Sequence, residues 1–277
     1  HADCVKLLLA APGINVNAAL KNDRCPLYLA AMNGHADCVK LLLDAPGINV
    51  NAADNDGETP LYWAACHGHA NCVKLLLAAP GINVNAAHES GYTPLYQAAA
   101  NGHADCVKLL LAAPGINVNA ADNDGETPLY EAARYGHADC VKILLGAPGI
   151  DINTANKNGK TTLYIAAENN HKDCMKLLLA APGINVNAAP NNGKTTLYWA
   201  AWNGHADCVK LLLAAPGINV NAADNDGETP LYEAARYGRA DCVKLLLAAP
   251  GINVNATTEN GETPLGIATK NGRKECA

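Results

Sequence analysis

The sequence predicts a mainly all-α chain folded as a stacked-repeat solenoid, and three observations carry that prediction. A cysteine returns every 34 residues, at Cys4, Cys38, Cys72, Cys106, Cys140, Cys174, Cys208, Cys242 and Cys276. The segment around it, Gly-His-Ala-Asp-Cys-Val-Lys-Leu-Leu-Leu at Gly102 to Leu111, recurs along the chain with little change. Each complete copy of that segment meets Pro-Gly three residues after its last leucine. A fixed period of this size marks an array of supersecondary units, each packed only on its neighbours.

In chain order, residues 1–16 are the back half of a repeat. Seven 34-residue units fill 17–254, and a partial unit occupies 255–277. No linker or second domain is legible, so 1–277 reads as one array. The unit from Asn51 to Val84 shows the local physics. Asn51-Ala52-Ala53-Asp54-Asn55-Asp56-Gly57 is rich in turn formers, and Gly57 is free to take positive φ. Thr59 is a good N-cap and Pro60 suits the first helical position, which predicts a short helix over 60–66 with Leu61, Ala64 and Ala65 inward. His67-Gly68 breaks it. A second helix is predicted over 69–78, with Cys72, Val73 and Leu75 to Leu77 mostly core. Asp in its first turn, Asn71 in this unit, suits the helix dipole, and a lysine follows three residues on. Pro80-Gly81 ends the helix, and Ile82 to Asn85 alternates as an extended segment.

Helix, tight turn, helix and then a turn-rich finger carrying Gly57-Glu58-Thr59-Pro60-Leu61, Ala64-Ala65, Gly68-His69, Val73 and Leu75-Leu76-Leu77 resembles the ankyrin repeat. The match returns in every unit. The resemblance implies an ankyrin-repeat solenoid of helix-turn-helix units with extended, β-hairpin-like finger loops. It also implies a protein-binding role in which the short-helix face lines a concave groove. There are departures. The family's Thr-Pro-Leu-His is here Thr-Pro-Leu-Tyr, at Tyr28, Tyr62, Tyr96, Tyr130, Tyr164, Tyr198 and Tyr232, so the hydroxyl needs a different hydrogen-bond partner. The unit is 34 residues long rather than the usual 33, and Ala-Ala-Pro-Gly-Ile-Asn-Val carries the extra residue. Thr161-Thr162 and Thr195-Thr196 lose the proline, Cys25 replaces the Thr cap, Asn170 replaces the inter-helix glycine and Gly266 replaces the tyrosine. Asp122 to Gly136 is repeated letter for letter at Asp224 to Gly238. Such scattered change around an exact copy points to drift after duplication, with an engineered array left open as the alternative.

Composition excludes several function classes. The net charge is −6 with no basic cluster, which argues against nucleic acid, a ligand that demands grouped Lys and Arg. No apolar run reaches the roughly 18 residues of a membrane span. Eleven cysteines suggest disulfides only until their spacing is read. Nine lie one per repeat, and stacked helices sit about 8–10 Å apart, whereas a disulfide needs Cα atoms within about 7 Å. Unpaired buried thiols act as small apolar side chains and suit a reducing compartment, so a cytoplasmic location is expected, with a secreted effector left open. His1 already lies inside a repeat, which predicts further chain upstream.

Within one array, constant columns hold the fold and varying columns are free to recognise something. The main varying pair sits three apart on the short helix, hence on one face. It reads Leu29/Met32, Trp63/Cys66, Gln97/Ala100, Glu131/Arg134, Ile165/Glu168, Trp199/Trp202, Glu233/Arg236 and Ile267/Lys270, and the next position adds His67, Tyr135 and Tyr237. Exchange of Trp for Glu for Ile is hard to fit in a packed core. The partner-binding candidates are therefore Trp63, His67, Gln97, Glu131, Arg134, Tyr135, Ile165, Trp199, Trp202, Glu233, Arg236 and Tyr237, with the tryptophans as anchors of the kind that dominate interfaces. The competing reading is that they merely cover neighbouring repeats. The finger acids Asp54/Asp56/Glu58, Asp122/Asp124/Glu126 and Asp224/Asp226/Glu228, and the basic Lys157, Lys160 and Lys194, either steer a partner or form a solvated surface.

Three chemistries fail. Asp54-Asn55-Asp56-Gly57 echoes a calcium loop, but no third ligand precedes the glycine and position twelve is Ala65. His35 and Cys38 recur as His-x-x-Cys, yet zinc needs about four converging ligands; the His column fits helix-start and turn hydrogen bonding. No nucleophile set or phosphate loop is present, so no catalysis and no cofactor are expected. The functional expectation is a scaffold that binds a protein partner through its concave face and finger tips. Two alternatives remain open: head-to-tail self-association through uncapped ends, and a targeting segment of a larger effector or enzyme.

Overall fold

The computed structural model describes residues 2–20 and 23–275. His1, the Lys21-Asn22 pair in the first finger, the ninth column cysteine Cys276 and Ala277 lie outside the described residues. The described residues form sixteen α-helices, and their only β-pairing is an isolated bridge between Ala155 and Thr161. They divide into two compact units, 1–132 with 139–150, and 133–138 with 151–277.

In the first unit, α1 (Ala2–Leu9), α3 (Ala36–Leu43), α5 (Ala70–Leu77) and α7 (Ala104–Leu111) are second helices, each packed on the next. The first helices α2 (Pro26–Met32), α4 (Pro60–Cys66) and α6 (Pro94–Ala100) also stack in order, and each packs on the second helix that follows it. α8 (Pro128–Arg134) and α9 (Ala138–Leu145) run across the division. In the second unit, the first helices α10 (Thr162–Glu168), α12 (Thr196–Asn203), α14 (Pro230–Arg236) and α16 (Pro264–Lys270) form one layer. The second helices α11 (Lys172–Leu179), α13 (Ala206–Leu213) and α15 (Ala240–Leu247) form the other.

Local chemistry explains the boundaries. Thr59 Oγ1 accepts the Tyr62 N–H at 3.2 Å, so the Thr-Pro pair starts α4 at Pro60 as its sequence predicts. Without proline, α10 and α12 still start on Thr caps, with Tyr164 N–H to Thr161 and Tyr198 N–H to Thr195 both at 3.3 Å. In α2 the Cys25 thiol takes over, accepting the Tyr28 N–H at 3.4 Å. The second helix is one residue shorter at each end than the predicted 69–78, because His69 stays outside it as a cap residue whose side chain is used elsewhere. Its buried face is narrower too: Cys72, Val73 and Leu76 are buried, while Leu75 and Leu77 keep partial exposure.

The alternating segment over 82–85 is not a strand. Its asparagines run a ladder instead. Asn51 Nδ2 donates to Gly81 O and its Oδ1 accepts from Asn83 N–H, both at 2.8 Å, and Asn17, Asn85, Asn187 and Asn221 repeat the pattern. The fingers are tight loops pinched at their base, as where Asp54 N–H donates to Glu58 O and Gly57 N–H to Asp54 O, both at 3.1 Å.

The histidine column has a specific task. His69, His103, His171 and His205 reach back with Nε2 to the carbonyls of Met32, Cys66, Arg134 and Glu168, at 3.0–3.2 Å, which ties each second helix to the end of the previous first helix. The glycine before each such junction must leave room. Gly68 holds φ +71, and a Cβ there would lie 2.5 Å from His103 Nδ1. Asn170 keeps the left-handed conformation at φ +58 where the glycine is lost.

Candidate functional site

The conserved-within-chain tyrosine is the key to the first-helix face. Its ring is buried between units, and its hydroxyl crosses to the next finger. Tyr28 donates to Asp54 Oδ2 at 2.9 Å and Tyr96 to Asp122 Oδ2 at 3.2 Å, both 26 residues on. Tyr198 and Tyr232 instead reach Glu228 Oε2 at 3.2 Å and Glu262 Oε2 at 2.7 Å. Burial and the adjacent carboxylates push these phenols well above the ordinary tyrosine value. This is the partner the Tyr-for-His departure requires.

The finger acids accordingly do more than meet solvent. Asp54 and Asp224 are buried. Asp54 Oδ1 accepts the N–H groups of Asp56 and Glu58 at 3.2 and 3.0 Å while Oδ2 takes Tyr28, and Arg24 stands 3.6 Å away. Asp54, Asp56 and Glu58 bring carboxylate oxygens within 4.8 Å of one another, as do Asp224, Asp226 and Glu228. With both Asp54 oxygens already accepting protein hydrogens, the first trio acts as loop scaffolding. Lys160 ion-pairs with Glu168 at 3.0 Å and lies 5.0 Å over the Tyr164 ring.

The two positions of the varying pair have different surroundings. The first rests on the tyrosine of the preceding repeat. Trp63 lies 6.2 Å from Tyr28 and Trp199 lies 6.0 Å from Tyr164, centroid to centroid, and Gln97 Nε2 donates to Tyr62 OH at 2.7 Å. That seat buries Glu131, Ile165 and Glu233, which are only 3%, 5% and 1% exposed. A buried glutamate is tolerated at Glu233 because Arg236 Nη1 reaches its Oε1 at 3.2 Å while also holding Glu228 Oε1 at 2.9 Å. Burial, then the neighbouring Glu228, pushes the Glu233 carboxyl up to about 7. Radical exchange is thus accommodated in an inter-repeat seat, as where Gln97 finds Tyr62 and Glu233 finds Arg236.

The second position and the residue after it face outward. Arg134, Trp202, Arg236 and Tyr237 are half-buried, His67 is exposed and Tyr135 is 54% exposed. In the second unit these residues make a continuous aromatic platform. Trp199 and Trp202 stack at 4.2 Å and 24°, and Trp202 continues to Tyr237 at 5.7 Å. The Lys194 ammonium sits over Tyr198, Trp202 and Trp199 at 5.0, 5.3 and 5.9 Å. In the first unit a smaller patch forms where Trp63 stacks on His67 at 5.0 Å and donates its indole N–H to Glu58 Oε2 at 3.0 Å.

Among the described residues the thiol column is interior from Cys38 onward, while Cys4 is exposed. Cys72, Cys106, Cys140, Cys208 and Cys242 are free and buried, and burial pushes the last four up to about 11. Among the described residues no helix is long and apolar enough to cross a membrane.

Comparison with known proteins agrees with this architecture. The family pattern "Ankyrin repeats (3 copies)" matches residues 1–88, 80–156, 148–224 and 216–277. The chain belongs to the ankyrin-repeat family. Among solved structures it is similar to the human ASB11 ankyrin repeat domain, with 32% identity, a TM-score of 0.65 and coverage of 76% of this chain and 91% of that one. It is also similar to the ankyrin repeat domain of Bcl-3, described as a unique member of the IkappaB protein family, with 29% identity, a TM-score of 0.71 and coverage of 80% and 98%. No curated protein matches the chain in sequence. Ankyrin repeats are in general protein-interaction modules.

Proposed function

We propose that this chain is a recognition scaffold, without chemistry of its own, that binds a protein partner along the concave, first-helix face. The observation that carries the proposal is the aromatic platform of Trp199, Trp202 and Tyr237, flanked by Lys194 and Arg236. Aromatic residues with one face open and arginine beside them are the composition of binding hot spots. Arg134 and Tyr135 of the second unit, and Trp63, His67 and Gln97 of the first, are further candidate contacts. Glu131, Ile165 and Glu233 serve it indirectly, as the inter-repeat seat. Buried free thiols suit a reducing compartment such as the cytoplasm.

The test is site-specific photo-crosslinking in cells. A photoreactive phenylalanine replaces Tyr237 or Tyr135 on the proposed face, or Lys210 or Lys244 on the opposite helices. Crosslinks to the same protein from 237 and 135, absent from 210 and 244, are the expected result. Equal labelling from both faces overturns the reading.

A further inference from the structure

Trp63 and Trp199 hold the same repeat position, four units apart. One difference in their surroundings bears on the indole N–H. Glu58, five residues before Trp63, accepts its indole N–H at 3.0 Å. Five residues before Trp199 stands Lys194, which has no acceptor to offer. Trp199 Nε1 is consequently out of solvent with no hydrogen-bond partner, a costly state for an indole N–H.

The lysine is held loosely. Its ammonium lies over three ring faces and ion-pairs with the buried Asp224 Oδ2 at 3.6 Å, beyond a hydrogen bond, so that oxygen too is left without a hydrogen-bond partner. Asp224 Oδ1 is engaged by the N–H groups of Asp226 and Glu228 at 3.0 and 2.9 Å. Glu228 is engaged by Arg236 and Tyr198, and Glu233 by Arg236. Glu228 and Glu233 are therefore held in place, and Asp224 is held through its Oδ1 while its Oδ2 has only the lysine. A neutral donor without an acceptor and a loosely paired cation thus lie side by side, the ammonium 5.9 Å from the Trp199 ring, where the equivalent unit has a carboxylate.

We propose that an acidic side chain of the bound protein fills this spot, accepting from the Trp199 indole N–H and pairing with Lys194 as it swings off the rings. The lysine side chain is 22% exposed on a flexible four-carbon stem, so it can move aside to admit the acid. Trp202 and Tyr237 then offer their open faces to apolar residues flanking the acid. This deepens the proposed function, on which it rests, by naming the chemistry that the partner presents.

The experiment uses the full chain labelled with 15N at its indoles, with Trp199→Phe to assign the Trp199 signal. The probes are three peptides, acetyl-Gly-Leu-Xaa-Leu-Gly-amide, in which Xaa is Glu, Gln or Lys. The Glu peptide is expected to move the Trp199 indole proton and to bind about fivefold more tightly than the Gln peptide, the difference between a charge-assisted and a neutral hydrogen bond. Lys194→Glu supplies the acid from within. Its Trp199 signal is expected to be shifted without peptide, and the preference for Glu to vanish. Equal response to all three peptides, measured at Trp202, leaves the recognition face standing and overturns the acidic-residue inference. Tighter binding of the Lys peptide overturns it as well. No response from any indole overturns both.

Discussion

Replacing Tyr28 by Phe isolates the bond between repeats that this chain built in place of the family's histidine. The hydroxyl donates to Asp54 Oδ2 at 2.9 Å, and Asp54 is only 8% exposed. Deleting it leaves that oxygen with Arg24 Nε at 3.6 Å as its only compensation. A hydrogen bond to a charged group is worth about 1.5–3 kcal/mol, and a stranded buried acceptor costs at the upper end. With a urea dependence of roughly 2 kcal/mol per molar, the midpoint falls by about 1 M. Tyr232→Phe is the control. Its bond to Glu262 is shorter, 2.7 Å, but the Glu262 side chain is one-third exposed and also holds Lys270 at 2.8 Å. Water and the lysine then replace the lost donor, and the expected cost is under about 1 kcal/mol. Urea titrations followed by circular dichroism compare the two. If Tyr232→Phe costs as much as Tyr28→Phe, bond length rather than burial sets the energy and the reasoning fails.

Two further predictions concern the same face. Glu233, pushed from an ordinary 4.5 up to about 7 by burial and Glu228, favours folding in its protonated form. That contribution is fully present below pH 4.5 and is lost as the pH rises through 7, by something of the order of 3 kcal/mol. Glu233→Gln is therefore expected to flatten the stability profile between pH 5 and 8, and urea midpoints at both pH values check it; an unchanged slope refutes the assignment. Gly68→Ala puts a Cβ into a left-handed backbone, 2.5 Å from where His103 Nδ1 now stands, and should cost about 1–2 kcal/mol in backbone strain, the ring shifting as its counterpart does beside Asn170. Gly68→Asn should cost visibly less, because Asn170 occupies that conformation while His205 still reaches Glu168 O at 3.2 Å. Thermal melts of the two variants decide it.

The repeat pattern made the helices legible almost to the residue, because Thr-Pro starts and Pro-Gly stops are local signals. What it concealed were interactions between units. The tyrosine latch spans 26 or 30 residues and the histidine tie spans 37, so neither is visible within one unit. A signal existed: an acid stands 26 residues after Tyr28 and Tyr96, whereas Tyr62 has His88 there and the two rings stack at 6.3 Å. The site was half legible for the same reason. Variation at residues 131, 165 and 233 pointed to a surface, but a seat between repeats tolerates variation when each occupant brings its own partner, as Arg236 does for Glu233. His67, Tyr135 and Tyr237, which follow the pair, needed only helical geometry to be placed outside.

The asparagine ladder has an evolutionary corollary. Each rung joins one loop to the next through the same two atoms of the same residue, so every splice point along the chain is chemically equivalent. Copying or excising a whole unit regenerates a complete rung and strands no amide. Length can therefore drift by unequal recombination while each junction stays satisfied, and the same exchange moves tryptophans, lysines and glutamates to new neighbours. Duplicated blocks such as Asp122 to Gly136 and Asp224 to Gly238 are the sequence trace that such shuffling leaves.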